Sequence, residues 1–298
     1  MATPLEQAAA FLPRELRLAV LSSGQDPEEL RLRAGRPFAL CGADGRETPV
    51  LWMGKPLELT ADDLRLTLEI STCASYHAAV EKLCQGFLPL KGGHRLGVTG
   101  TVDLREGKIH GYRALSSLCL RIAHPVQGIG WEAAEQVFRP EGAVSTLLLS
   151  PPGLGKTTLL RELIRLGSDR YGQRVGLADE RGEVAALWHG VPQFDVGAST
   201  DVLDGCPKAE GLQLLLRTMN PQLLAADEIT APEDIAALSA AANCGVSVLA
   251  TAHGGSLEDL RRRPLYRRLL DEGIFRQVVH ISRQGSRRSY RVEPVEDG

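Results

Sequence analysis

The hydrophobic pattern of the first 124 residues predicts a small domain of mixed helices and strands. Apolar positions at helical spacing between residues 5 and 23, interrupted by Pro13, predict two short helices. Alternating segments at 29–33 and 38–41 predict a hairpin, and Thr60 with Asp63 resembles a capping box. A further helix is predicted from Ser75 to Cys84, followed by short strands at 92–100, 108–113 and 118–122. These elements together indicate an α+β domain.

Beyond a proline- and glycine-punctuated segment at 124–130, apolar runs alternate with amphipathic helices. Strands are predicted at 147–149, 174–179, 223–226 and 246–251, and helices through 159–164, through 212–219 and from Pro232 to Asn243. Thr230 and Glu233 are interpreted as the capping box of the last helix. Such alternation is typical of a parallel sheet. We therefore predict an N-terminal domain at 1–124, a linker at 125–138 and an α/β domain at 139–298.

Composition narrows the class of protein. The chain has 298 residues, 43% of them hydrophobic, and a net charge of −3, so it can bury two cores and does not look like a protein that coats polyanions. Its six cysteines include no C-x-x-C pair, which predicts reduced thiols in a cytoplasmic protein rather than a zinc site. The N-terminus does not resemble a signal peptide, and no apolar run approaches the roughly 20 residues needed to span a bilayer.

The stretch from Leu147 to Thr158, LLLSPPGLGKTT, predicts a phosphate-binding loop between a strand and a helix. Backbone N–H groups at the start of such a helix point at the ligand, and the helix dipole favours its negative charge. Lys156 is predicted to reach the β and γ phosphates of ATP, and the Thr157 hydroxyl to bind Mg²⁺. Ser150 stands where the usual pattern has its first glycine. The predicted nucleotide-binding residues are Pro152, Gly153, Leu154, Gly155, Lys156, Thr157 and Thr158. The plainer interpretation is a turn that caps an ordinary helix.

A second part of the predicted site follows the strand at 223–226. In an open α/β sheet the carboxyl ends of the strands meet the ligand, so Asp227 is expected beside the Mg²⁺ bound by Thr157. Glu228 is expected to act as the general base on the attacking water. His253, which ends the next strand, is a candidate γ-phosphate sensor, or else a histidine that caps the strand end.

Other charged residues leave several interpretations open. Asp179 and Glu180 end a strand at the same sheet edge and either hold water or metal or form a salt bridge. An arginine could stabilise the charge of the transition state, often from a neighbouring subunit. Arg95, Arg113, Arg121, Arg181 and Arg217 are the candidates, and for each of them alone a surface ion pair is the plainer interpretation. The arginines at 261–263, 267, 268, 287, 288 and 291 predict a solvated basic face or a surface for lipid, nucleic acid or an acidic partner.

Several longer stretches resemble the family of stage III sporulation protein AA, sporulation ATPases of endospore-forming bacteria that are similar to the ATPases of type II and type IV secretion. The stretches that carry the resemblance are 30–37, 92–97, 116–123, 151–158, 179–183 and 220–228, so it extends over nearly the whole chain. It implies a P-loop NTPase core of the RecA/AAA type with a parallel sheet, preceded by a smaller α+β domain.

The resemblance also implies assembly and location. It implies a homo-oligomeric ring, a hexamer, that binds ATP between the two domains and a neighbouring subunit. The ring would power a channel between mother cell and forespore, at the cytoplasmic face of the membrane, through membrane proteins of that channel.

The resemblance further implies roles for individual residues. Lys156, Thr157, Asp227 and Glu228 match the two nucleotide motifs of the family. Residues 179–180 fall at the acidic box of secretion ATPases, and residues 250–253 at their His box. Arg217 falls where they carry an arginine ahead of a Pro-Asp pair, which here is Asn220-Pro221.

Three functional hypotheses follow from the sequence. The leading one is an ATP-hydrolysing motor subunit of a secretion-like apparatus. The second is a nucleic-acid-dependent ATPase, which would rest on the C-terminal arginines, although the balanced charge argues against nucleic acid as a partner. The third, a non-catalytic nucleotide-gated scaffold, fits poorly with the complete set of Lys156, Thr157, Asp227 and Glu228.

Overall fold

The computed structural model describes residues 2–73, 80, 83–84, 86–124, 126–284 and 287–295. The chain divides into two units, Met1–Pro125 and Val126–Gly298. Among the described residues, no helix has both the length and the apolar character needed to cross a membrane. Most of the helix predicted from Ser75 to Cys84 lies outside the described residues.

The first unit is a six-stranded antiparallel sheet with helices packed against it. The described helices are α1 (Pro4–Ala9), α2 (Arg14–Ser22) and α3 (Ala61–Ser71), and the strands are β1 (Glu29–Arg33), β2 (Ala39–Cys41), β3 (Glu47–Pro49), β4 (Leu51–Trp52), β5 (Lys55–Pro56), β6 (Phe87–Pro89), β7 (Arg95–Arg105) and β8 (Lys108–Arg121). The strand order in the six-stranded sheet is β3-β2-β1-β8-β7-β6, and strands β4 and β5 form a separate two-stranded pair.

Local sequence signals account for much of this unit. Pro13 separates α1 from α2, as predicted. The capping box of α3 is confirmed, because Thr60 Oγ1 accepts the Asp63 amide at 3.2 Å and Asp63 accepts the Thr60 amide at 2.8 Å. The three short strands predicted between 92 and 122 are instead the two long strands β7 and β8. Three register shifts in their pairing absorb the irregular positions that suggested breaks in the sequence.

The second unit is built around a seven-stranded sheet. Its helices are α4 (Trp131–Val137), α5 (Lys156–Asp169), α6 (Lys208–Thr218), α7 (Pro232–Asn243), α8 (Leu257–Arg261) and α9 (Pro264–Asp271). Its strands are β9 (Phe138–Arg139), β10 (Gly142–Ala143), β11 (Thr146–Ser150), β12 (Val175–Asp179), β13 (Thr200–Asp204), β14 (Leu223–Ala226), β15 (Ser247–His253), β16 (Gln277–Gln284) and β17 (Arg287–Pro294). The strand order in the sheet is β13-β12-β14-β15-β11-β16-β17, and the strands are parallel except for the antiparallel pair β16–β17.

Apolar side chains cover both faces of this sheet. Leu147 and Leu149 of β11 pack with the buried faces of α6, α7, α8 and α9, whereas Leu148 packs with those of α4 and α5. Strand β14 alternates in the same way between the two cores. A strand buried on both faces has a continuous apolar sequence, which is why β11 and β14 were the clearest predicted strands.

Two local expectations differ from the structure. Residues 131–137, placed in a linker, form α4, and Ala133, Ala134 and Val137 are buried in the core of the second unit. The predicted capping box of α7 is wrong, because Asp234 accepts the amides of Thr230 and Ala231 at 3.0 and 3.1 Å. Asp234 lies one turn into the helix, so its carboxylate reaches back to both amides ahead of Pro232.

Candidate active site

The loop between β11 and α5 is shaped by left-handed glycines. Gly153 and Gly155 have φ angles of 79° and 88°, which other residues rarely adopt. Among the described residues no side chain caps the first turn of α5, and that turn carries no acidic residue. The backbone N–H groups of residues 153–158 and the helix dipole therefore form a surface suited to an anion such as a phosphate group.

Lys156 lies under this loop rather than in solvent. Its side chain is buried, and Nζ donates to the carbonyl oxygens of Ser150 and Pro151 at 2.9 and 3.1 Å and contacts His253 Nδ1 at 2.8 Å. Burial lowers the pKa of Lys156, and the nearby carboxylates of Asp227 and Glu228 oppose that shift. The Lys156 ammonium group therefore lies between the phosphate loop and His253.

Thr157 and Asp227 meet directly. The Thr157 hydroxyl donates to Asp227 Oδ2 at 2.7 Å, and the Thr251 hydroxyl donates to Asp227 Oδ1 at 2.6 Å. A hydroxyl and a carboxylate side by side are oxygen ligands of the kind that Mg²⁺ prefers, and such sites often use only one or two protein ligands beside substrate phosphates. The donor set therefore fits the predicted metal, and the residues that would hold it are Thr157 and Asp227.

Glu228 is held in a single orientation by its neighbours. Its backbone is left-handed, with φ at 52°. Its amide donates to Thr251 Oγ1 at 2.8 Å, while its carboxylate contacts Arg181 Nη1 at 2.7 Å and His253 Nε2 at 3.1 Å. The carboxylate remains partly exposed, so a water molecule can approach it.

His253 bridges the lysine and the glutamate. An ammonium group has no acceptor, so Nδ1 must accept from Lys156, and the ring proton then lies on Nε2 and points to Glu228. His253 is the last residue of β15 and pairs with Ser150, which brings it to the phosphate loop.

Asp179, at the end of β12, binds backbone amides and is not placed to bind a metal. The Asp179 carboxylate accepts the amides of Glu183, Val184 and Ala185 between 2.8 and 3.2 Å. Burial raises its pKa, and the amide bonds oppose that rise. Asp179 therefore anchors the segment after β12, which carries Arg181 towards Glu228.

Arg217 is not brought to this site within the chain. It is exposed near the C-terminal end of α6, whereas Lys208 at the other end of α6 bonds the Glu228 carbonyl. The helix returns from the carboxyl edge of the sheet to the start of β14, a length of about 16 Å at 1.5 Å per residue. A crossover helix in a parallel sheet must run this way, which separates Arg217 from Lys156, Thr157, Asp227 and Glu228.

The structure adds residues that the sequence did not assign to the site. Arg288 of β17 lies against the phosphate loop, because a Cβ on Gly155 would stand 2.9 Å from its Nη2 atom. The Lys208 side chain contacts the main-chain carbonyl of Glu228, and the Thr251 side chain contacts its main-chain amide. The sequence did contain a signal for Lys208. A lysine at the first position of a helix is unfavourable because of the helix dipole, which suggests that nearby acceptors stabilise it.

A cavity of about 510 Å³ lies beside β16, β17 and the start of α4. Trp131, Glu132, Tyr290 and Arg288 line it together with the segment that precedes α4. Arg288 is therefore shared between the cavity and the phosphate loop.

Comparison with known sequences gives a match over nearly the whole chain. A family model of sporulation stage III protein AA matches residues 6–292. Stage III sporulation protein AA of Bacillus subtilis (strain 168) is 36% identical over 291 residues, which cover 94% of this chain and 91% of that protein.

Comparison with solved structures identifies the fold. The pilus retraction motor PilT, solved with bound ADP, has a TM-score of 0.63 at 16% identity, covering 94% of this chain and 81% of that chain. The ATPase DotB of Legionella pneumophila has a TM-score of 0.59 at 18% identity, covering 93% of this chain and 79% of that chain. The second unit therefore has the P-loop fold of these two proteins.

Proposed function

The chain belongs to the family of sporulation stage III protein AA, and from this premise we propose that it binds ATP with Mg²⁺ and hydrolyses it. The observation that carries the proposal is the contact of Thr157 with Asp227 at 2.7 Å beside a left-handed glycine loop. A phosphate loop or an acidic strand end alone is common. Their junction, with Lys156 and Glu228 adjacent, is what phosphoryl transfer requires.

The roles of the side chains follow from their positions. The backbone N–H groups of residues 153–158 hold the phosphates, and Lys156 exchanges its carbonyl contacts for phosphate oxygens. The metal, when bound, neutralises charge on the β and γ phosphates. Glu228 takes a proton from the attacking water, and His253 senses whether Lys156 has moved to the γ phosphate, because it contacts both Lys156 and Glu228.

The cavity beside Arg288 is the proposed place of the nucleoside. It shares Arg288 with the phosphate loop, has a volume suited to a small molecule and carries two aromatic side chains, Trp131 and Tyr290. A base can stack on such rings, and Arg288 can reach the phosphates from the same side.

At the level of the cell, we propose a motor subunit that forms a homo-oligomeric ring, a hexamer, at the cytoplasmic face of the membrane. It would drive a secretion-like channel between mother cell and forespore through membrane proteins of that channel. Support comes from the family and from the fold, since PilT and DotB are described as a pilus retraction motor and an ATPase. The proposed ring is tested separately from ATP hydrolysis.

Ion pairing argues against a nucleic-acid-binding role for the C-terminal arginines. Arg262, Arg263 and Arg268 pair with carboxylates four residues away along the chain. Arg291 pairs with Glu293. Paired guanidinium groups have less charge to offer phosphates of DNA or RNA, and Arg288 faces the phosphate loop.

The test uses purified full-length protein with MgATP and two variants. Glu228→Gln should bind ATP like the wild type but hydrolyse it about 10²- to 10⁴-fold more slowly, because only the general base is lost. Lys156→Ala should lose binding and hydrolysis together. Wild-type protein that fails to hydrolyse ATP at any concentration, or Glu228→Gln with undiminished turnover, would contradict the proposal.

A further inference from the structure

Lys208 is a buried ammonium group that no part of the proposed mechanism yet uses. Lys156 and Lys208 are the only lysines between residues 126 and 298, where the other permanently charged cations are arginines. The Lys208 side chain is 6% exposed and lies in the first turn of α6. Burial and the helix dipole both disfavour a cation there, so its partners must offset that cost.

Those partners come from three elements around Glu228. Nζ donates to the Glu228 carbonyl, lies 3.5 Å from Glu180 Oε2 after β12, and lies 3.8 Å from Asp234 Oδ2 in the first turn of α7. Asp234 in turn accepts the amides of Thr230 and Ala231. Lys208 thus joins the ends of β12 and β14 to the start of α7.

The Glu228 backbone needs such support. A left-handed conformation costs free energy for a residue with a Cβ, and it persists only where the surroundings fix it. Thr251 holds the Glu228 amide from one side, and Lys208 holds the Glu228 carbonyl from the other. With both held, the side chain leaves the backbone in the direction that reaches Arg181 and His253.

We propose that Lys208 is a positioning residue for hydrolysis, which fixes the main chain of Glu228 so that its carboxylate faces the attacking water. A compact ammonium group suits this place, because a guanidinium group is larger and planar. The inference rests on the proposed ATPase function. It predicts an effect on turnover that passes through Glu228 and leaves nucleotide binding nearly unchanged.

The experiment is a double-mutant cycle in the full-length protein. Lys208→Met keeps the length of the side chain and removes the donor. We expect kcat to fall by about 10- to 100-fold, with the dissociation constant for a fluorescent ATP analogue changed less than about threefold. In the Glu228→Gln background, the same change should have no further effect on kcat, because the group that Lys208 positions is already absent.

Controls separate this role from a general loss of structure. Lys108→Met removes an exposed lysine of β8 and should leave kcat unchanged. Lys208→Gln retains a hydrogen-bond donor and should recover part of kcat, and it replaces Lys208→Met if that variant does not fold. Equal losses from Lys208→Met in both backgrounds, or weakened ATP binding with normal kcat, would overturn the inference. Wild-type protein without ATPase activity would overturn the proposed function itself.

Discussion

At the scale of single residues, the left-handed backbone of Gly155 lets Arg288 approach the phosphate loop. Gly155→Ala should cost about 1–2 kcal/mol of unfolding free energy from backbone strain. Gly172→Ala, with φ at 64° and open space around it, should cost a similar amount. Only Gly155→Ala displaces Arg288, so it alone should weaken ATP binding, by about tenfold or more. Urea unfolding and ATP titration check both parts, and equal ATP affinity in the two variants would remove Arg288 from the site.

Residue chemistry explains which parts of the site were visible in the sequence. Lys156, Thr157, Asp227, Glu228 and His253 follow strands whose ends must meet at one sheet edge, so chain order was enough to group them. The structure brings these five together. Lys208 reaches the site from the first turn of α6, and Arg288 from the antiparallel strand β17. The spacing of residues along the sequence does not predict contacts of this kind.

At the scale of elements, Arg161 joins α5 to the segment between β12 and β13. Its guanidinium donates to the carbonyls of Val184 and Glu183 at 2.6 and 2.7 Å and stacks on Phe194 at 3.9 Å. Arg161→Lys should loosen the segment, because lysine lacks the planar fork, and we expect a loss of about 1–3 kcal/mol. Hydrogen exchange of the Val184 and Ala185 amides should accelerate. Exposed Arg139→Lys is the matched control, and unchanged exchange in Arg161→Lys would contradict this role.

Elements differ in how far sequence pattern alone could predict them. The strands buried on both faces were found from their apolar runs. The edge strands β13 and β17 were missed, since half-exposed edge positions accept polar and charged residues and so lack a clear pattern. Strand β16, which lies between β11 and β17, was missed as well. The arginines of 287–291 were interpreted by charge alone, whereas β17 is paired with β16 along its whole length.

At the scale of the whole molecule, the direction of α6 separates Arg217 from the site of its own chain. Because Arg217 lies at the sheet edge opposite the phosphate loop, it can act in catalysis only at the site of another subunit. A catalytic role of Arg217 therefore requires the proposed ring. We expect specific ATPase activity to rise with protein concentration, in step with a ring-sized species in light scattering. A monomer with full specific activity would remove both the ring mechanism and the role of Arg217.

Mixing two inactive variants tests the role of Arg217 directly. Arg217→Ala keeps an intact loop and Glu228, whereas Glu228→Gln keeps Arg217. If the arginine acts across a subunit boundary, rings assembled from equal amounts should regain about one quarter of wild-type activity, because that fraction of sites has both groups. Lys156→Ala mixed with Glu228→Gln is the control, since both changes damage the chain's own site and no recovery is expected. Full activity of Arg217→Ala alone would exclude Arg217 from catalysis. An inactive mixture would show that Arg217 affects only the site of its own chain.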